Sequence, residues 1–70
     1  MTATYELRVA VDPSPLLLAA LAGFSLRPGP PGQTRLVGTV ADDAALHAAL
    51  NHLQDLRVEL LSLRRLDPGL

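Results

Sequence analysis

The stretch Phe24 to Val40, FSLRPGPPGQTRLVGTV, decides the fold. Its C-terminal half, Thr34-Arg35-Leu36-Val37-Gly38-Thr39-Val40, alternates with Leu36, Gly38 and Val40 on one face, as a half-buried strand does. Its N-terminal end, Phe24-Ser25-Leu26-Arg27, reads as a shorter strand. Between them, Pro28-Gly29-Pro30-Pro31-Gly32 can only turn, because three prolines remove backbone donors and fix φ. The whole is a hairpin with a tip longer than the favoured two-residue turns. Without the strand at Phe24 the sheet would have three strands and a loop from Gly23 to Gln33, unusually long for so short a chain.

Upstream, Tyr5, Leu7, Val9 and Val11 share one face of a strand and Glu6, Arg8 and Ala10 the other. Asp12-Pro13 ends it. Ser14 and Pro15 supply a helix cap and a proline at the first helical position. The helix from Leu16 to Ala22 is apolar nearly all round, which predicts cover on more than one face. Gly23 suits the left-handed residue that closes it.

Downstream, Asp42 or Asp43 caps a second helix, where either carboxylate suits the positive helix end. Leu46, Ala49, Leu50 and Leu53 form its buried stripe, and Leu56 lies near its end. The last strand, Val58 to Leu66, places Val58, Leu60 and Leu66 on one face and Leu61 and Leu63 on the other. Apolar residues on both faces imply that both are covered. Two helices cover one side of a sheet, so a partner subunit is expected on the other. The order strand, helix, strand, strand, helix, strand is the α+β ferredoxin-like βαββαβ arrangement. It has a four-stranded antiparallel sheet with both helices on one face. One such domain is expected to span residues 1–70.

Seventy residues lie near the lower limit for a self-sufficient core. With no cysteine there is neither a disulfide framework nor a thiolate metal site, so self-association is the expected source of extra burial. Lysine and isoleucine are absent and every basic residue is arginine, a bias of GC-rich coding rather than of function. The net charge of −1 argues against general affinity for nucleic acid or anionic membranes. The longest apolar run, Pro15 to Phe24, is too short to span a bilayer. Glu6 and Asp12 precede it where a signal peptide would be basic, so a cytoplasmic protein is expected.

The segment Val40-Ala41-Asp42-Asp43-Ala44-Ala45-Leu46-His47-Ala48-Ala49-Leu50, continued by Gln54-Asp55-Leu56-Arg57-Val58 and Leu60-Leu61-Ser62-Leu63, covers about a third of the chain. It resembles a pattern in small uncharacterised ferredoxin-like bacterial proteins, mostly from high-GC actinobacterial genomes. Asp43, Ala48 and Arg57 depart from that pattern, which has Gln, Gly and Gly there. The resemblance implies the helix-to-strand passage of this half and no particular activity. Arginine in place of the glycine that closes a helix costs about 1 kcal/mol.

His47 and His52 are five residues apart, roughly 140° around a helix, so one metal ion on this helix cannot take both. His52 and Asp55 stand side by side as an exposed ion pair, with no nucleophile nearby in sequence. His47 flanks the buried stripe and is the histidine best placed for ligand binding or proton transfer in a sheet–helix cleft. The loop from Arg27 to Arg35 lacks the glycine spacing and lysine of a phosphate loop, and its prolines delete the N–H groups a phosphate nest needs. Arg64 and Arg65 make a small basic spot, with Arg57 and Arg8 candidates to join it. No aromatic on the third strand is available to stack nucleic-acid bases.

These residues describe a small non-enzymatic interaction or regulatory module, homodimeric or larger. It would bind a small ligand or partner protein at a subunit interface and need no cofactor or metal. His47, Leu61, Leu63 and Arg65 are the ligand or interface candidates, and no catalytic residue stands out. A small dimeric enzyme with His47 as its acid–base group is the alternative.

Overall fold

The computed structural model describes residues 2–21 and 23–66. The elements follow in the predicted order: β1 (Ala3–Val9), α1 (Pro15–Ala20), β2 (Phe24–Pro28), β3 (Thr34–Val40), α2 (Asp43–Asp55) and β4 (Leu60–Arg65). They form a four-stranded sheet in the order β2-β3-β1-β4, with every neighbouring pair antiparallel. This is the ferredoxin-like α+β arrangement. The predicted helical residue Ala22 and the end of the chain from residue 67 lie outside the described residues.

Local chemistry sets most boundaries. Ser14 caps α1, its hydroxyl accepting from the Leu17 N–H at 3.1 Å, and Pro15 opens the first turn. Gly23, at φ +90°, turns the chain into β2. Of the two aspartates before α2, Asp42 is the cap, accepting from the Ala45 N–H at 2.9 Å. The hairpin tip closes through a hydrogen bond from Gln33 N–H to Pro30 C=O, with Pro31 and Gly32 (φ +82°) at the centre of the turn. Proline then glycine in that order is the signature of a type II turn. The tip is also pinned to the β1–α1 connection. Asp12 accepts from Gly32 N–H at 2.8 Å, and the Thr34 hydroxyl donates to Val11 C=O at 2.6 Å.

The end of α2 carries the one positive φ of a non-glycine residue among those described, Arg57 at +57°. Arg57 N–H donates to Gln54 C=O and Val58 N–H to Leu53 C=O, both at 2.9 Å. These two bonds make a Schellman closure, which requires a left-handed residue at the position arginine fills.

The core lies between the helices and one face of the sheet. Leu7, Val9, Phe24, Leu36 and Val40 come from the strands, Leu17 and Leu21 from the α1 segment, and Leu46, Ala49 and Leu53 from α2. The predicted α2 stripe is thus the buried one, with Leu50 partly buried against the core. The all-round apolar character of α1 has a different outcome: Leu17 is buried while Leu16 and Leu18 are exposed.

The last strand departs from the alternation expected of it. Leu63 lies opposite Leu7, and Leu60 opposite Val9, with a register shift between Arg8 and Val9. Three steps along β4 therefore match two along β1, so a bulge absorbs one residue. Leu63 shares the helix-side face of Leu60 instead of opposing it, and Leu61 falls in the bulge. The expectation of an apolar residue at Leu63 on the open face is corrected accordingly. Leu63 is nonetheless 41 % exposed, because β4 is the sheet edge and the helical layer stops short of it.

Candidate functional site

Two surfaces stand out. The first is the β4 edge with the groove beside it. Leu60, Leu61 and Leu63 of β4, and Leu66 just past its end, are between 36 and 43 % exposed along an edge paired on one side only. Leu66 N–H bonds to Thr4 C=O at 2.8 Å, at one end of the β1–β4 ladder. Antiparallel alternation then turns the N–H and C=O of Leu63 away from β1, toward the free edge. Between α2 and β4 runs an open groove of about 530 Å³, floored by Leu50, Leu53, Val58 and Leu60. His47, Asn51 and Gln54 rim it, at the i, i+4, i+7 spacing that aligns them along one helix face.

His47 thus lies where the sheet–helix cleft was expected, with Leu60 facing it and Leu61 and Leu63 continuing along the edge. Arg65 is apart from them. It pairs across from Tyr5 and lines a separate cleft of about 310 Å³ with Asp42 and Asp43. His52 faces a third crevice, between α1 and α2, with Phe24 and Ala48. The two histidines are divided between grooves, as their spacing requires. No ion pair joins His52 to Asp55. Among the described residues no group of three or more His, Asp or Glu side chains could hold a metal ion. Among the described residues the polar lining of the His47 groove is one imidazole and two amides.

The second surface is the open sheet face, where Glu6 and Arg35, given no role by sequence reasoning, join Arg8 and Arg64 of the expected basic spot. Glu6 is 4 % exposed although no helix covers its side of the sheet. Arg35 covers it, with Nε at 3.0 Å and Nη2 at 2.6 Å from Glu6 Oε2, and Arg8 Nε lies 3.5 Å from Oε1. The Arg35 hydrogen bonds hold the Glu6 carboxyl below the usual carboxylate range. Burial opposes them, and the charges of Arg35 and Arg8 reinforce them. The signal for this cluster was half present in the alternation of Glu6 and Arg8. The other half, Arg35 directly across from Arg8, depends on the β1–β3 register. Arg64 joins this face across from Glu6, while Arg65 turns to the opposite one, so the expected Arg64–Arg65 spot is split.

No helix among the described residues is long and apolar enough to cross a membrane. No curated protein and no solved structure matches the chain significantly. Residues 4–64 match a family model described as a domain of unknown function (DUF8691), and the chain belongs to that family.

Proposed function

We propose that this domain is a small non-enzymatic interaction module that works as a homodimer. Two copies pair along β4, and a small ligand or partner segment is held in the adjoining His47 groove. The observation that carries this reading is the free β4 edge with its four part-exposed leucines. Edge strands are ordinarily protected by charge, proline or cover. In β4 the basic residues, Arg64 and Arg65, are confined to the C-terminal end, and the strand contains no proline.

A second copy is the fitting occupant because an antiparallel strand pairs with itself across a two-fold axis, satisfying both edges at once. The open sheet face, expected from the sequence to be the seam, suits this poorly. It carries four arginines and one glutamate, so stacking two such faces would oppose like charges. Covering the remaining leucine surface on both copies contributes about 6 kcal/mol, at roughly 2 kcal/mol for a fully buried leucine. Association itself costs upward of about 4 kcal/mol. The dimer is therefore weak and concentration-dependent.

Sedimentation equilibrium over a wide concentration range tests this. The unmodified chain is expected to move from monomer to dimer, and a Leu61→Lys, Leu63→Lys chain to remain a folded monomer. A folded wild-type chain that stays monomeric at the highest concentration, or an unaltered dimer in the lysine variant, would reject the reading.

A further inference from the structure

The geometry points to the open sheet face as a docking surface for the phosphate backbone of duplex nucleic acid, read by charge and without base stacking. The observation is an arginine row set by strand register. Leu26 and Leu36 pair on the helix side, which puts Arg27 and Arg35, the next pair, on the open face. Arg35 in turn lies directly across from Arg8. Three guanidinium-bearing residues therefore stand side by side on β2, β3 and β1, about 4.8 Å apart from strand to strand. Arg64 on β4 adds a fourth, across from Glu6.

Among the described strand residues on this face Glu6 is the one acid, giving four positive charges against one negative, a local excess of three. The net charge of −1 conceals this separation. Asp12, Asp42, Asp43, Asp55 and Glu59 all sit outside the strands, in connections or at the ends of α2. Nor is the excess consumed internally. Glu6 engages Nε and one terminal nitrogen of Arg35 and the Nε of Arg8, leaving terminal N–H groups of both for an external anion. Their side chains are 39 % and 43 % exposed. The buried carboxylate fixes the two forks, so less side-chain entropy is lost on binding.

The rest of the face selects the ligand. Tyr5 and Phe24 both belong to the helix side, so no aromatic platform awaits an unstacked base. Ser25 and Thr39 add exposed hydroxyls to this face, the Thr39 hydroxyl shared with Thr4, and hydroxyls beside arginines are the side-chain mixture that contacts phosphates. Arginine clusters also bind acidic peptide motifs, but the other peptide-recognition modes add an edge, groove or pocket that holds the chain. None of the four arginines lines the grooves described above. The proposal does not rest on β4 pairing, which leaves this face open.

Fluorescence anisotropy of a labelled duplex DNA of about 20 bp, titrated with the full chain at several salt concentrations, is the test. Four contacts predict a slope of log K against log salt near −3.6, a loss of about 150-fold between 50 and 200 mM salt. Arg27→Gln and Arg64→Gln, neither of which removes a partner of Glu6, should each reduce the slope by about 0.9. Arg57→Gln, on the α2 closure, should leave it unchanged. The proposal is overturned if the folded chain fails to bind duplex at low salt. It is equally overturned if the Arg27 and Arg64 variants bind with the wild-type slope, or if a polyglutamate peptide binds as tightly as the duplex.

Discussion

Replacing Arg57 by glycine should stabilise this domain, although it deletes a charged side chain and adds no contact. Arg57 is held at φ +57° by the closure of α2, whose two hydrogen bonds are both 2.9 Å. A left-handed conformation costs an L-residue about 1–2 kcal/mol, because Cβ crowds the following carbonyl oxygen. Glycine escapes that cost but loses about 0.5–1 kcal/mol more backbone entropy on folding. The net expectation is a gain of about 0.5–1 kcal/mol. In a domain of this size that raises the Tm by about 2–8 °C. Thermal and urea unfolding followed by circular dichroism would measure it, with Arg57→Ala as the control. Alanine keeps the Cβ and so keeps the strain. An Arg57→Gly chain no more stable than wild type, or an Arg57→Ala chain that gains as much, would refute the reasoning.

Two other substitutions test the sheet. A Cβ on Gly38 would lie 2.7 Å from Cγ and Cδ2 of Phe24 and 2.8 Å from the Gly23 carbonyl oxygen. Because one of these atoms is backbone, Gly38→Ala should cost about 1–3 kcal/mol in urea unfolding, and a neutral result would contradict the β2–β3 packing. Glu6→Gln probes the open face through pH. The folded-state pKa of Glu6 is depressed, so its stabilisation is complete above the usual carboxylate range and is lost as pH falls through the lower folded value. The stability gap between wild type and Glu6→Gln should shrink on acidification, whereas a gap constant with pH would show that Glu6 is not charged in the folded state.

The parts of the molecule legible in the sequence are those governed by local chemistry. The β3 bounds at Thr34 and Val40, the caps at Ser14 and Asp42 and the stripe of Leu46, Ala49 and Leu53 all follow from short-range rules. Register is a different matter. A bulge in β4 changes which face Leu63 takes, and no single residue there announces it. The Glu6–Arg35 pair joins residues 29 apart, so it becomes visible only once β1 and β3 are aligned. The His47 groove was approachable from helix spacing, but its opposite wall at Leu60 depends on the same bulge. The division of Arg64 from Arg65 needs no register: neighbours in a strand face opposite ways, and that much the sequence already contained.

The central claim is that β4 is a seam between copies, and the Leu63 amide reports on it directly. Its N–H points to the free edge in one chain and would enter a hydrogen bond in the pair. Residue-resolved hydrogen exchange at rising protein concentration should show Leu63 protection growing with the dimer fraction, while the Leu7 amide, inside the sheet, stays protected throughout. A Leu63 amide that exchanges at the same rapid rate at every concentration would contradict the account.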